Sequence, residues 1–320
     1  MTRGDGNRID ETASPTPTGL VRWWTYQRER FPLVQHGPLI FAFSFCAVSY
    51  SHHLRGVGGR LNVAAIAVAF GTALLFFLQL RIADEFKDFE EDRRYRPYRA
   101  VPRGLVTLRE LGMIGVACAV LQALLAVALK PTLILWLLIP WTYLVLMSKE
   151  FFVRRWIVDR PFTYLWTHMF IMPLIDLYAT ACDWHVAAGA APRGLGWFLG
   201  ASYFNGVVIE VGRKIRAPGD EEEGVRTYTV LWGRRWALLA WLGAMSISGA
   251  MGVLAARRVG VAIPVAICLG VVLLAAAALA GVFGRRPTTG GSKRIELASG
   301  VWTLALYLSL GVGPMLWPNG

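Results

Sequence analysis

The sequence predicts an all-α polytopic membrane protein of about nine membrane helices. Three observations carry that prediction. Hydrophobic residues make up 55% of the 320-residue chain and charged residues only 17%. Apolar runs close to spanning length recur throughout, and basic residues gather on one side of them. A soluble domain carries about a quarter charged residues, and the hydrocarbon core takes about 20 apolar residues as helix. Lipid offers no partners for free backbone N–H and C=O groups, so a spanning segment is a helix or part of a closed barrel. The alternating pattern of barrel strands is absent.

Taken in order, residues 1–21 form a polar tail without the apolar core of a signal peptide, and they read as disordered. Residues 22–320 form one membrane domain. The expected spans are 33–54, 62–84, 105–129, 131–152, 162–183, 194–214, 234–256, 259–283 and 295–316. With nine spans, the N-terminus shares a side with the loops after spans two, four, six and eight. That side holds 27 of the 33 Lys and Arg; the other holds Arg55, Arg60, Lys130, Arg193, Arg257 and Arg258. This is the positive-inside pattern, which places the N-terminus in the cytoplasm. The net charge of +12 is therefore topological, and nucleic-acid binding is not its explanation. Cys46, Cys118, Cys182 and Cys268 lie inside apolar runs without metal-ligand spacing and read as packing residues.

The segment RIADEFKDFEEDRRYRPYRAVPRG (81–104) ends span two with six carboxylates in nine residues, followed by a burst of arginines. On a continuing helix Glu85, Asp88 and Asp92 stand at i, i+3 and i+7 and share a face, with Asp84 one turn before Asp88. Carboxylates this close repel one another unless a cation compensates. Mg²⁺ suits such a place, because it takes a few carboxylates plus waters and phosphate oxygens. Arg93, Arg94, Arg96 and Arg99 offer forked donors of the kind that grip phosphate. A second run, EVGRKIRAPGDEEEGVRTYTVLWG (210–233), leaves span six on the same side, with Glu210 near the helix end and Asp220 to Glu223 in the loop. Arg213, Lys214, Arg216 and Arg226 are interleaved with these acids. Either run alone reads as a solvated, charge-balanced loop; two on one face point to a site.

These two segments resemble the Asp-rich motifs of the UbiA superfamily of intramembrane prenyltransferases. The first motif, NDxxDxxxD, corresponds to Asp84-Glu85-x-x-Asp88-x-x-x-Asp92, with Asp for Asn and Glu for the first Asp. In the second, Gly224-Val225-Arg226-Thr227 and Leu231-Trp232-Gly233 match the segment after DxxxD, and Asp220 falls on its second Asp. Arg216 occupies the first Asp position, so Glu210 or one of Glu221 to Glu223 is left to supply the missing ligand.

The resemblance implies helices around a central, lipid-open cavity, a Mg²⁺ cofactor and a prenyl diphosphate substrate, C10 to C20 favoured. It implies catalytic roles for Asp84, Glu85, Asp88, Asp92 and Asp220, and metal ligation by Glu85, Asp88, Asp92, Glu210 and Asp220. Arg94, Arg99, Lys214 and Arg226 would contact the diphosphate. The altered motifs lean towards intramolecular cyclisation, ahead of prenyl transfer to an aromatic or other lipid acceptor. A divalent-cation transporter is a distant third reading, since its acids belong near the midplane rather than at one face. His168 and Asp176 lie two turns apart inside span five as intramembrane polar groups. His52 and His53 near the opposite interface read as surface residues.

Overall fold

The computed structural model describes residues 19–56, 58–187 and 189–317, and every regular element among them is helical. In chain order these are α1 (Leu20–Arg30), α2 (Leu33–Leu54), α3 (Val63–Lys87), α4 (Phe89–Tyr95), α5 (Leu108–Leu129), α6 (Leu133–Ser148), α7 (Arg154–Val158) and α8 (Pro161–Met169). They continue as α9 (Ile171–Ala187), α10 (Leu195–Arg213), α11 (Tyr228–Trp232), α12 (Arg234–Arg258), α13 (Ala262–Arg285), α14 (Thr289–Gly311) and α15 (Gly313–Leu316). Short 3₁₀ turns cover Glu150–Phe152 and Pro218–Asp220. Residues 1–18 of the expected tail lie outside the described residues, and α1 starts at Leu20, just before the expected domain boundary.

Among the described residues five helices, α2, α3, α5, α12 and α13, are long and apolar enough to cross a membrane. The other four expected spans fall on α6, on α8 with α9, on α10 and on α14. The fifth is broken at Phe170 because Pro173 has no N–H for the carbonyl of Met169. Side-chain caps start the long helices: Asn62 accepts from the N–H groups of Ala64 and Ala65, and Thr107 with Glu110 closes a capping box on α5.

α2, α9, α10 and α14 pack together at the centre, with α3, α6 and α12 around them and α5 and α13 outermost. The outer helices turn Val116, Val120 and Leu124, and Ile267, Val271 and Leu274, outward. Apolar faces of that extent belong against lipid. Inside the bundle small residues bring the helices close. A Cβ on Gly311 would stand 2.5 Å from Cα of Cys46, so α14 crosses α2 only because that residue is glycine. Buried polar pairs fix the crossings: Tyr307 donates to Asp176 at 2.6 Å, and Thr303 to Asn205 at 3.1 Å.

Two expectations change here. His52 is buried rather than on the surface, its Nδ1 3.8 Å from Asp183, whose carboxylate accepts two hydrogen bonds from Arg55 and one from Ser51. Cys268 is exposed on α13, whereas the other three cysteines are buried; none forms a disulfide.

Candidate active site

The carboxylates of the first acidic segment divide between buried ion pairs and positions that no hydrogen bond reaches among the described residues. α3 ends at Lys87, and Asp88 (φ −93°, ψ 3°) breaks the helix before α4 begins at Phe89. The chain kinks there, although the N–H groups of Asp88 and Asp92 still donate to the carbonyls of Asp84 and Asp88 at 2.9 and 2.8 Å. Glu85 turns towards α1, where it is buried in an ion pair with Arg30. Asp92 is also buried and is held by Arg96 at 3.0 Å and by both its oxygens on Arg99, at 2.9 and 2.7 Å. Among the described residues no hydrogen bond reaches the carboxylates of Asp84 or Asp88, and the nearest cation to Asp84 is Arg81 at 3.6 Å. Burial and then the charge of Asp84 push the Asp88 carboxyl up to about 6, with Asp92 and Glu91 adding to the effect and Lys87 opposing it.

The second segment divides as well. Glu210, at the end of α10, is buried and holds Arg213 (2.7 Å) and Lys214 (2.7 Å). Asp220 sits on the start of α14, accepting from Thr289 at 2.6 Å and from Ser292 at 3.3 Å. Glu221 accepts from Thr227 and Thr229 and so stabilises its own loop. Tyr164 of α8 is the common neighbour of what remains: Asp84, Asp88, Glu150 and Glu210 all lie within its electrostatic reach. Asp84 also acts on Arg213 across the gap. Glu210 is thus an acid of the second segment whose charge acts on the same neighbour, Tyr164, as Asp84 and Asp88 of the first.

The four basic residues expected at the diphosphate are spread out. Lys214 stands beside Glu210, over the ring of Tyr228 at 5.7 Å. Arg99 is spent on Asp92. Arg94 lies over the ring of Tyr95 at 5.1 Å, and with Arg226 it lines an open cleft of 650 Å³ completed by Glu90, Glu91, Arg93, Tyr95 and Gly224. Gly224 (φ 77°) closes that cleft: a Cβ would meet the Tyr95 ring at 2.7 Å, so the loop after Asp220 rests directly on α4. Arg226 also donates to the carbonyl of Val158 at 3.1 Å.

Sequence reasoning missed Lys87 and Glu150. Lys87 bridges Glu150 (2.7 Å), the Tyr164 hydroxyl and His168 Nε2 (3.3 Å). Glu150 lies in a turn where three successive non-glycine residues, Glu150, Phe151 and Phe152, have φ of 49°, 52° and 60°. Each such residue costs about 1–2 kcal/mol. The available signal was an acid in the last residues of span four, at the end on the same side as both acidic segments.

Among the described residues no three His, Cys, Asp or Glu side chains form a cage for a metal ion. The donor set nevertheless fits Mg²⁺ bound together with a diphosphate. In such sites the ion takes one or two carboxylates and completes its shell with waters and phosphate oxygens. Asp84 and Asp88, with oxygens that no protein donor occupies, are two such carboxylates. The ion-paired Glu85 and Asp92 are poor candidates on the same reasoning.

Fold and site together define an all-helical membrane protein with acidic and basic groups gathered where several helices end. The family model of the UbiA prenyltransferase family matches residues 38–300, and the chain belongs to that family. No curated protein matches it significantly. Among solved structures, the apo form of a UbiA homologue from Aeropyrum pernix K1 is similar with a TM-score of 0.65 at 15% identity, over 87% of this chain and 97% of that one. A structure on the biosynthesis of digeranylgeranylglyceryl phosphate synthase in membranes has a TM-score of 0.55 at 12% identity, covering 92% and 98%. A UbiA homologue from Archaeoglobus fulgidus bound to DMAPP and Mg²⁺ has a TM-score of 0.54 at 12% identity, covering 90% and 99%. At these identities the likeness concerns the fold.

Proposed function

We propose that the chain is a Mg²⁺-dependent enzyme that ionises an allylic prenyl diphosphate and builds a carbon–carbon bond from the resulting carbocation. The observation that carries this reading is a set of acids and cations at neighbouring helix ends: Asp84 and Asp88 beside Lys87, which reaches Glu150 and the Tyr164 hydroxyl, and Glu210 holding Arg213 and Lys214. Such a mouth suits a diphosphate, and the apolar bundle beyond it suits a prenyl tail. The structures of a family member with DMAPP and with GPP, each with Mg²⁺, support the substrate class. Bound Mg²⁺ would neutralise the charge that grows on the diphosphate as the allylic C–O bond breaks.

The chain's own groups do the rest. Asp84 and Asp88 supply the open carboxylates, Lys87 and Lys214 the cations nearby, and burial strengthens each of these interactions. From Phe151, whose ring meets His168, a series of aromatic contacts runs through Tyr143, Phe170, Tyr203, Trp166 and Phe204, with ring centroids 4.9–6.0 Å apart. Their faces can stabilise a carbocation kept from water. The positive-inside pattern supports a cytoplasmic mouth.

The divergence of both Asp-rich segments favours capture by the substrate's own double bonds, which is cyclisation. The family's description and the synthase among its structural neighbours favour transfer to a lipid acceptor instead. The deciding experiment incubates purified protein with Mg²⁺ and C10, C15 and C20 prenyl diphosphates without acceptor, followed by gas chromatography of a hexane extract. A cyclic product lost with EDTA is the expected result. Intact diphosphate would favour transfer, to be tested by adding aromatic and lipid acceptors. No turnover under either condition would overturn the reading.

A further inference from the structure

The residue that ties the far wall of the mouth together is Glu150. The residue is 2% exposed. One oxygen stands 2.7 Å from Lys87 Nζ and the other 3.1 Å from His168 Nε2. The opposite ring nitrogen, Nδ1, donates to the carbonyl of Tyr164 at 2.9 Å, which fixes the imidazole. Tyr164 stacks on His168 with centroids 3.8 Å apart and planes 12° apart, and its hydroxyl accepts from Lys87. Three side chains, two from α8 and one from the turn after α6, thus hold the ammonium of Lys87 in one place.

A structural role alone does not account for this arrangement. Apolar residues of similar volume commonly hold helices as well as a buried ion pair does. The backbone also keeps three successive side chains at positive φ to deliver Glu150, and strain of that kind collects at functional sites. The ammonium it fixes belongs to the residue just before Asp88, and among the described residues no hydrogen bond reaches the carboxylate of Asp88 or of Asp84, whose nearest cation is Arg81 at 3.6 Å.

We propose that Glu150 is a positioning residue for the diphosphate: it clamps Lys87, with His168 and Tyr164, so that the ammonium faces the phosphate oxygens brought in at Asp84 and Asp88. The inference rests on the diphosphate reading of the site. Left without Glu150, the four-carbon stem of Lys87 is free to swing out to water or to pair with Asp84 or Asp88. Either motion removes a cation from the diphosphate.

The test measures inorganic pyrophosphate binding in the presence of Mg²⁺ by calorimetry, KM and kcat for the prenyl diphosphate that turns over, and Tm in detergent. Wild type is compared with Glu150→Gln, Glu150→Asp, Lys87→Met and the double variant Glu150→Gln/Lys87→Met. Glu150→Gln is expected to weaken pyrophosphate binding and raise KM about tenfold, with partial recovery in Glu150→Asp. In the Lys87→Met background, Glu150→Gln is expected to add no further loss of binding, because it acts through that ammonium. Wild-type binding in a folded Glu150→Gln, or losses that multiply in the double variant, would overturn the positioning role while leaving the diphosphate reading intact. Failure of wild type itself to bind pyrophosphate with Mg²⁺ would overturn both.

Discussion

Replacing Asp88 by asparagine should make the protein more stable and inactive at once. The substitution keeps the shape of the side chain and removes one negative charge from a place where burial and Asp84, Asp92 and Glu91 already oppose it. A carboxyl moved from 3.8 to about 6 corresponds to about 3 kcal/mol of native-state cost above that range. Partial exposure and screening reduce the recoverable part to about 1–2 kcal/mol. The melting temperature of the purified, metal-free protein in detergent should therefore rise by about 2–6 °C. Mg²⁺ with pyrophosphate should raise Tm in wild type and leave the variant unmoved, and turnover should fall by at least about a hundredfold. A variant that is destabilised, or that keeps its Mg²⁺-dependent turnover, would refute the assignment of Asp88 as an open, unpaired ligand.

Three further outcomes follow from the same geometry. Because the Asp88 carboxyl is raised, its cost is present above pH about 6 and vanishes below about 4. Tm of the metal-free protein should climb on acidification through that window, less so in Asp88→Asn, while Mg²⁺-dependent turnover declines through about pH 6 as the ligand takes up a proton. Arg30→Ala leaves Glu85 buried without its partner and should cost about 3–5 kcal/mol, largely recovered in Arg30→Met/Glu85→Leu; chemical denaturation of both variants checks this. Asp220→Ala, which loses only bonds from Thr289 and Ser292, should cost about 1–2 kcal/mol and keep turnover within about tenfold. Glu210→Gln should lose far more activity, and equal kinetic losses in the two variants would restore Asp220 to the site.

The helices were legible because hydrocarbon imposes length and apolarity on them. The expected bounds of α2 agree with the structure at both ends, and those of α3 and α10 fall within three residues of it. The acidic segments were legible as places but not as partners. Reading Glu85, Asp88 and Asp92 as one stripe did not show that Glu85 and Asp92 are taken up in ion pairs, and no proline or glycine near Asp88 marks the kink. Which arginine takes which carboxylate was out of reach too, since Arg30 and Glu85 lie 55 residues apart and meet only because α1 folds back onto the end of α3. Glu150 was hidden for a similar reason: its value lies in contacts with Lys87 and His168, on two other helices.

The charge balance around Tyr164 leads to a last prediction. Asp84, Asp88, Glu150 and Glu210 are matched by Arg81, Lys87, Arg213 and Lys214, so the mouth is close to neutral before any ligand arrives. A diphosphate entering alone would meet carboxylates that repel it, at the low effective dielectric of a half-buried site. Mg²⁺ entering alone would find two carboxylates and few other donors, a weak site for an ion that gives up its waters reluctantly. Each ligand supplies what the other lacks, so the two should bind as a unit. Pyrophosphate without Mg²⁺ should leave Tm within about 1 °C of the free protein, and Mg²⁺ alone should raise it little. Together they should stabilise by about 2–3 kcal/mol at a hundredfold excess over the joint dissociation constant. Strong stabilisation by pyrophosphate alone would mean that the arginines, not the carboxylates, set the affinity of this mouth. The open cleft between Arg94 and Arg226 would then be the place to look for the bound anion.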